Sequence, residues 1–341
     1  MNHQGRNAMT AGRMDLSIAL SDNARTRPII DGHVEIESVT PYITTVHPSE
    51  MFWRQLKYAD FDISEMSMSS LLIAAARGDY RWVGIPVFTS RMFFHTRILV
   101  RGDRGINVPA DLKGKRVAVP EYQQTSAIWS RGILQNEFGV DQRDIEWFME
   151  RTPDMSHGGS TGFTSPPGVK LNRIPPTTNI GEMLVKGELD ATLLYLTNTN
   201  LVDRSTIDIE REPSVRPLFA DGAAEGRRYY AKTGIYPINH TVVMRRELYE
   251  KHPWIALNLY SAFARAKDKS LKDARKALQP WREVGALGPD AEKGFGADPL
   301  AYGVKAPRAT LEMIAQFLQE QGLTDRRVAI DEVFAKSTLD V

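Results

Sequence analysis

Seven histidines are spread over 341 residues that contain no cysteine. Imidazole is then the side chain whose ordinary pKa lies nearest neutrality, and proton transfer is the chemistry it serves. The missing thiols exclude a disulfide framework, an iron–sulfur cluster, a thiolate zinc site and a cysteine nucleophile. His3 lies in a polar opening stretch read as a frayed extension. His157 lies in the Gly/Ser-rich segment 156–168, read as a mobile surface loop, so both are expected in solvent. His252, in Lys251-His252-Pro253-Trp254, reads as a cap or packing residue. His95 and His240 are flanked by strand-like runs, where a hydrogen-bonded core role and a catalytic role are both open. Arg91 and Arg97 can grip a carboxylate bidentately. In a strand over 93–100, Phe93, His95 and Arg97 would share one face, and an ion pair at a strand edge is the alternative role for each arginine. Ser69 and Ser70 precede the helix-forming run 71–76, and Thr125 and Ser126 precede a second helix that ends at Gly139. Both helix starts offer N–H groups and a positive dipole end to a small carboxylate, or are plain caps.

These residues need elements to hold them. Apolar runs predict strands over 15–20, 61–66, 82–87, 93–100, 115–119 and 191–196, with a helix over 180–185. The last third turns helical, with Ile255, Leu259, Ala262, Phe263 and Ala266 on one stripe, Leu311, Ile314 and Leu318 on another, and Gly322 as a stop. Strands alternating with helices imply an α/β fold with much parallel pairing. Forty-three basic residues against 42 acidic ones, a net charge of +1, argue against a nucleic-acid-coating surface. No apolar run of about 18 residues could span a membrane, and the opening has no signal-like core of about 7–15 apolar residues, so a cytoplasmic protein is expected. No Gly-Lys-[Ser/Thr] follows the Gly/Ser segment, which excludes a nucleotide phosphate cradle of that kind.

The stretch Gly84-Ile85-Pro86-Val87-Phe88-x-Ser90-Arg91-x-Phe93-x-His95, followed by Asp111-Leu112-Lys113-Gly114-Lys115-Arg116-Val117-x-Val119-Pro120-Glu121-Tyr122-Gln123, resembles the 4,5-dihydroxyphthalate decarboxylase family. So do Gly187-Glu188-Leu189-Asp190-Ala191, Tyr236-Pro237-Ile238-Asn239-His240-Thr241-Val242-Val243 and His252-Pro253-Trp254. The resemblance implies a two-lobed type II periplasmic-binding-protein-like fold with a cleft between lobes and a helical C-terminal segment. Residues 14–100 and 225–341 would form one lobe and 101–224 the other. It implies a cytoplasmic carboxy-lyase that turns 4,5-dihydroxyphthalate, or a close analogue, into protocatechuate or its counterpart, with His95 and His240 facing the cleft. The sequence departs from the family pattern at Phe94, Gln124, Leu196 and Asn239, which puts the particular substrate at issue.

Aromatic decarboxylation needs a proton at the carbon that loses its carboxylate, while a para hydroxyl supplies electrons. The ring is its own electron sink, so no cofactor is expected. One imidazole would protonate the ring carbon and the other polarise the phenol, the order left open, a contribution of about 10²–10⁴ in rate. Arg91, Arg97, Ser69, Ser70, Thr125 and Ser126 are the candidates for the carboxylates, and Tyr122 and Gln123 for a ring hydroxyl. Two histidines with Glu121 or Glu65 could instead hold a divalent metal, a reading not favoured because no His-x-x-x-His or paired-carboxylate spacing supports it. The expected partner is a small aromatic carboxylate, with no nucleic acid or membrane. The C-terminal helices can bury against the body or against a second copy in a homo-oligomer. The competing function is a cytoplasmic small-carboxylate-binding or sensing protein of the same fold without catalysis.

Overall fold

The structure is a computed structural model that describes residues 12–288, 298 and 300–341; His3 and the rest of the opening stretch lie outside the described residues. The chain runs β1 (Met14–Leu20), α1 (Arg27–Ile30), β2 (Val39–Thr45), α2 (Pro48–Tyr58), β3 (Ile63–Ser67), α3 (Met68–Ala76) and β4 (Trp82–Arg91). It continues through β5 (Leu99–Arg101), β6 (Arg116–Val119), α4 (Thr125–Phe138), β7 (Glu146–Met149), α5 (His157–Thr161), β8 (Lys170–Arg173), α6 (Ile180–Lys186), β9 (Ala191–Thr192) and β10 (Val215–Pro217). The last part holds α7 (Gly222–Thr233), β11 (Ile238–Arg245), α8 (Arg246–Lys251), α9 (Trp254–Glu283), α10 (Arg308–Glu320) and α11 (Ile330–Val333).

Two sheets result. One has the order β2-β1-β3-β11-β4 and the other β10-β5-β9-β6-β7-β8. In the first, β1 pairs in parallel with β2 and β3, and β11 returns antiparallel between β3 and β4. In the second, β6 pairs in parallel with β7 and β9, and β7 with β8. Parallel strands must be covered on both faces, which is why β3 is buried along its whole length and α3 carries eight buried residues. Open parallel sheets present their loops for binding at the carboxyl ends of the strands. Here those ends, after β1, β2 and β3 in one lobe and β6, β7 and β9 in the other, converge on one cleft.

The strand expected over 93–100 does not form. Phe94–Arg97 is a single 3₁₀ turn, closed by the Thr96 hydroxyl on the Phe93 carbonyl at 2.8 Å, and only Leu99–Arg101 is strand, in the second sheet. The chain has to cross from one sheet to the other here, and turning buries Phe94 and His95 on opposite sides of the crossing instead of alternating them along one strand. The strand expected over 191–196 stops at Thr192, whose hydroxyl bonds to the Leu194 carbonyl at 2.8 Å and turns the chain into the cleft. The expected helices are present, and the stripes on the last third lie in α9 and α10, with Gly322 at φ 70° past the end of α10.

Helix α10 fastens the two lobes together. It packs on both α3 and α4, with Phe317 against the Trp129 ring at 5.5 Å and Gln321 joined to Arg131 Nε and the Ile128 carbonyl at 2.9 Å each. The close approach depends on Gly132, since a Cβ there would stand 2.2 Å from the Phe317 ring. Gly132→Ala is expected to destabilise the protein by about 1–3 kcal/mol through overpacking, read as a fall in the urea midpoint. Adding Phe317→Leu should return part of that loss, and purely additive variants would show that the two sites do not meet.

Candidate active site

Glu65 on β3 is fully buried, and an ionised carboxylate in such a place must be hydrogen-bonded or paired. It accepts from the Ser21 N–H at 2.7 Å and the Ser21 hydroxyl at 2.6 Å, from the Thr89 hydroxyl, and from Nδ1 of His240 at 3.4 Å. Burial pushes the Glu65 carboxyl up, but its bonds from His240, Ser21 and Thr89 outweigh burial and hold it below its ordinary value. The other ring nitrogen of His240, Nε2, meets the Asn239 side-chain amide at 2.8 Å. With Nδ1–H donated to Glu65, Nε2 accepts from the Asn239 amide, the carboxylate–imidazole arrangement that fixes a tautomer.

The second lobe supplies a parallel assembly. Glu121, just past β6, accepts from the backbone N–H of His157 at 3.2 Å and of Gly158 at 2.5 Å, the first turn of α5. His157 Nδ1 stands 3.4 Å from the Ser70 hydroxyl and 3.8 Å from Glu121, while its Nε2 has no hydrogen-bond partner. Burial drives this imidazole down to about 4, against the pull of Glu121. Arg151, past β7, is also buried, donating to Asp203 at 2.9 Å, Glu121 at 3.1 Å and Ser49 at 2.6 Å. Burial opposes its charge, and Asp203 and Glu121 outweigh burial, so its pKa rises. Phe52 of α2 lies between the lobes, edge-on to His240 with ring centres 4.7 Å apart and to His157 at 5.6 Å.

These groups surround a cavity of about 220 Å³, room for a substituted benzene ring given that about 150 Å³ holds benzene itself. His240, His157 and His47 look into it, with apolar walls from Phe52, Phe94 and Leu196. His47 caps α2 through Nδ1, and burial lowers its pKa against the opposing Asp203. Both helix starts reach the cavity, α3 through Ser67 and α4 through Gln124, Thr125 and Ser126. Ser67 and Thr125 hydrogen-bond each other across the lobes at 2.7 Å.

The sequence candidates separate accordingly. His240, Thr125 and Ser126 line the cavity, as do all four departures, Phe94, Gln124, Leu196 and Asn239. His95 does not meet His240 across the cleft. It is sealed among Phe93, Phe219 and Tyr229 with Nε2 on Glu225 at 3.2 Å, and burial, opposed by Glu225, drives it down to about 4. Arg91 is buried against the Ala301 carbonyl, and Arg97 is exposed on a neighbouring groove beside Thr96 and Pro217, because the 3₁₀ turn rotates it away. Ser69 and Ser70 sit behind the cavity: Ser69 ties α3 to Thr125 and to the Gln123 carbonyl, and Ser70 supports His157. Tyr122 donates to Gln142 at 2.7 Å beneath the Arg131 guanidinium, and Gln123 donates to Thr161 at 2.8 Å, both away from the cavity. Segment 156–168 is no loose surface loop where it begins. His157 and Gly158 are buried, and a Cβ on Gly159 would fall 1.5 Å from the Pro153 carbonyl oxygen. His157, Arg151 and His47 escaped the sequence reading; the signal available was their place just beyond strand ends in an alternating α/β pattern.

Among the described residues, no three His, Asp or Glu side chains gather as a metal site would require, and no helix is long and apolar enough to cross a membrane. Two α/β lobes whose strand ends close on a ring-sized cavity make this a protein of the periplasmic-binding-protein fold. Solved structures of that fold include the periplasmic aliphatic sulphonate binding protein SsuA from Escherichia coli (TM-score 0.55, 14% identity, 96% of this chain and 99% of that one). The desulfurization enzyme DSZB shares it too (TM-score 0.53, 18% identity, 96% and 98%). No family model matches the chain. The 4,5-dihydroxyphthalate decarboxylase of Comamonas testosteroni is 34% identical over 333 residues, 96% of this chain and 98% of that protein. Its namesake from Pseudomonas putida is 38% identical over 188 residues, 55% and 73%. The chain belongs to the 4,5-dihydroxyphthalate decarboxylase family.

The buried imidazoles set an acid limit on stability. His95 and His157 titrate near 4 in the folded chain and at about 6.5 when unfolded. Between those values the unfolded chain binds more protons, so stability falls as pH is lowered through that window, by up to about 3 kcal/mol for each ring. His47, also lowered, acts in the same sense. Carboxylates held low, such as Glu65 and Asp203, lose their contribution only below about pH 4. Urea midpoints from pH 7 to 4.5 should show this slope, and His157→Asn should reduce it by about one proton.

Proposed function

We propose that this protein decarboxylates a hydroxylated phthalate, 4,5-dihydroxyphthalate or a close analogue, to the corresponding dihydroxybenzoate without a cofactor. The observation that carries the reading is His240, held at Nδ1 by the buried Glu65 and lining a ring-sized cavity, in a chain whose relatives are named for this reaction. A protein that only binds its ligand has no need of a buried carboxylate clamping an imidazole.

In the proposed reaction, the hydroxyl para to the reacting carbon gives up its proton and feeds electrons into the ring. An imidazolium then delivers a proton to the carbon that bears the carboxylate. The resulting dienone loses CO₂, the C–C bond pair returns to the ring, and the phenol recovers its proton. The net change consumes one proton and releases one CO₂. His240 is assigned to the reacting carbon, since Glu65 holds its ring at Nδ1 in one orientation. His157, neutral and with an unpartnered Nε2, is assigned to the phenol. The N–H groups at the starts of α3 and α4 supply positive potential to the departing carboxylate. Phe52, Phe94 and Leu196 suit neutral CO₂ better than a carboxylate, which favours the forward step.

His240→Asn should lower kcat by about 10²–10⁴ while KM moves only a few-fold, and His157→Asn should behave similarly, whereas His95→Asn should keep kcat within a few-fold. Near-normal turnover in the His240 variant overturns the mechanism. In D₂O the product should carry one deuterium at the vacated carbon. Activity should survive exhaustive chelation, and a chelator-sensitive, metal-rescued rate would assign the chemistry to a bound ion instead.

A further inference from the structure

The cavity around His240 does not end at that ring. On the first-lobe side a second chamber of about 380 Å³ opens, sharing His47, Pro48, Ser90 and His240 with the first as a common wall. The two differ in chemistry. The first is walled by Phe52, Phe94 and Leu196, whereas the second is walled by Ser21, Asn23, Arg25, Thr45 and Thr89. Arg25 donates Nε to the Thr89 carbonyl at 2.6 Å, and its two terminal nitrogens make no hydrogen bond among the described residues. Asp22, also on this wall, is joined to Arg27.

The charges of the site make this guanidinium matter. Arg151, the arginine of the first chamber, is outnumbered by its own partners Glu121 and Asp203, and Glu65 adds a third carboxylate behind His240. A doubly charged phthalate therefore meets, in the first chamber, one guanidinium that buried carboxylates already engage. Arg91 and Arg97 lie outside both chambers. Among the described residues, Arg25 lines the second chamber without a carboxylate partner.

We propose that the chamber beside Arg25 is a subsite for the carboxylate that the substrate keeps, with the Arg25 guanidinium as its counter-ion. This rests on the decarboxylase reading above and deepens it. With one carboxylate on Arg25 and the ring across the shared wall, the neighbouring ring carbon lies at His240, and its own carboxylate points into the apolar first chamber. The subsite thus selects an aromatic acid over a neutral phenol and decides which of two adjacent carboxylates leaves. Guanidinium suits this task because its planar fork matches a carboxylate.

The test is equilibrium binding of unreactive probes, phthalate and the uncharged catechol, to the wild-type protein, Arg25→Gln and Arg25→Lys, with thermal unfolding as the check on folding. The wild type should bind phthalate between about 10- and 100-fold tighter than catechol. Arg25→Gln should lose that preference while catechol binding stays within about 3-fold, and Arg25→Lys should fall between. Equal affinity of the wild type for the two probes overturns the proposal without any variant, as does undiminished phthalate preference in a folded Arg25→Gln. Binding is read independently of turnover. A phthalate preference that depends on Arg25, with no CO₂ from 4,5-dihydroxyphthalate, would retire the decarboxylase reading and leave the subsite standing. CO₂ release with no dependence on Arg25 would retire the subsite alone.

Discussion

A carboxylate sealed in the first lobe is the constraint from which the site is built. Glu65 has no solvent to satisfy it, so every one of its bonds must come from the protein. Those bonds reach in three directions, to Ser21 beyond β1, to Thr89 on β4 and to His240 on β11. Because Glu65 gathers three separate strands around one group, their register is coupled to the orientation of an imidazole. The bulge in β11 opposite Ser90, where pairing with β4 slips between Ile238, His240 and Val242, lets His240 leave the plane of the ladder and turn toward the carboxylate.

The other lobe meets the same problem with different parts. Glu121 stands just before the start of α4, as Glu65 stands just before the start of α3, and each is spent on a histidine from a distant segment. Glu121 additionally orders α5 by accepting from its first N–H groups and anchors Arg151. A buried charge of either sign in this cleft thus always has a partner, and what is left to face a ligand is a set of imidazole nitrogens, hydroxyls and helix starts.

This chain couples its two lobes through side chains and through its C-terminal helices. Ser67 with Thr125, Ser69 with the Gln123 carbonyl, and Trp129 with the Ile238 carbonyl are hydrogen bonds between the lobes, and α10 lies across α3 and α4 outside them. One continuous apolar core includes residues of both sheets, from Ile18 and Ile63 to Val117 and Trp147. A site held this way keeps His240 and His157 in fixed places on either edge of Phe52.

The alternation of strands and helices, the helix starts at Ser67–Ser70 and Thr125, and one of the cavity histidines were legible along the chain. Each of these rests on local signals: apolar periodicity, hydroxyl-bearing residues before apolar runs, and a motif that keeps its residues close together in the chain. The positions at which the chain departs from its family pattern also proved to be cavity positions: Phe94 and Leu196 follow β4 and β9, Gln124 precedes α4, and Asn239 stands at the start of β11. Tertiary structure alone decided which charges and imidazoles meet. His95 reads like His240 along the chain, yet a 3₁₀ turn closed by Thr96 carries it away from the cleft into an aromatic pocket. His157 reads as solvated among glycines, yet those glycines are what let its helix start approach Glu121 closely enough to be buried. Arg151 and Arg25 carry no local mark at all. Their roles depend on how many carboxylates stand within a few ångströms, and that number is a property of packed strand ends rather than of neighbours in the chain.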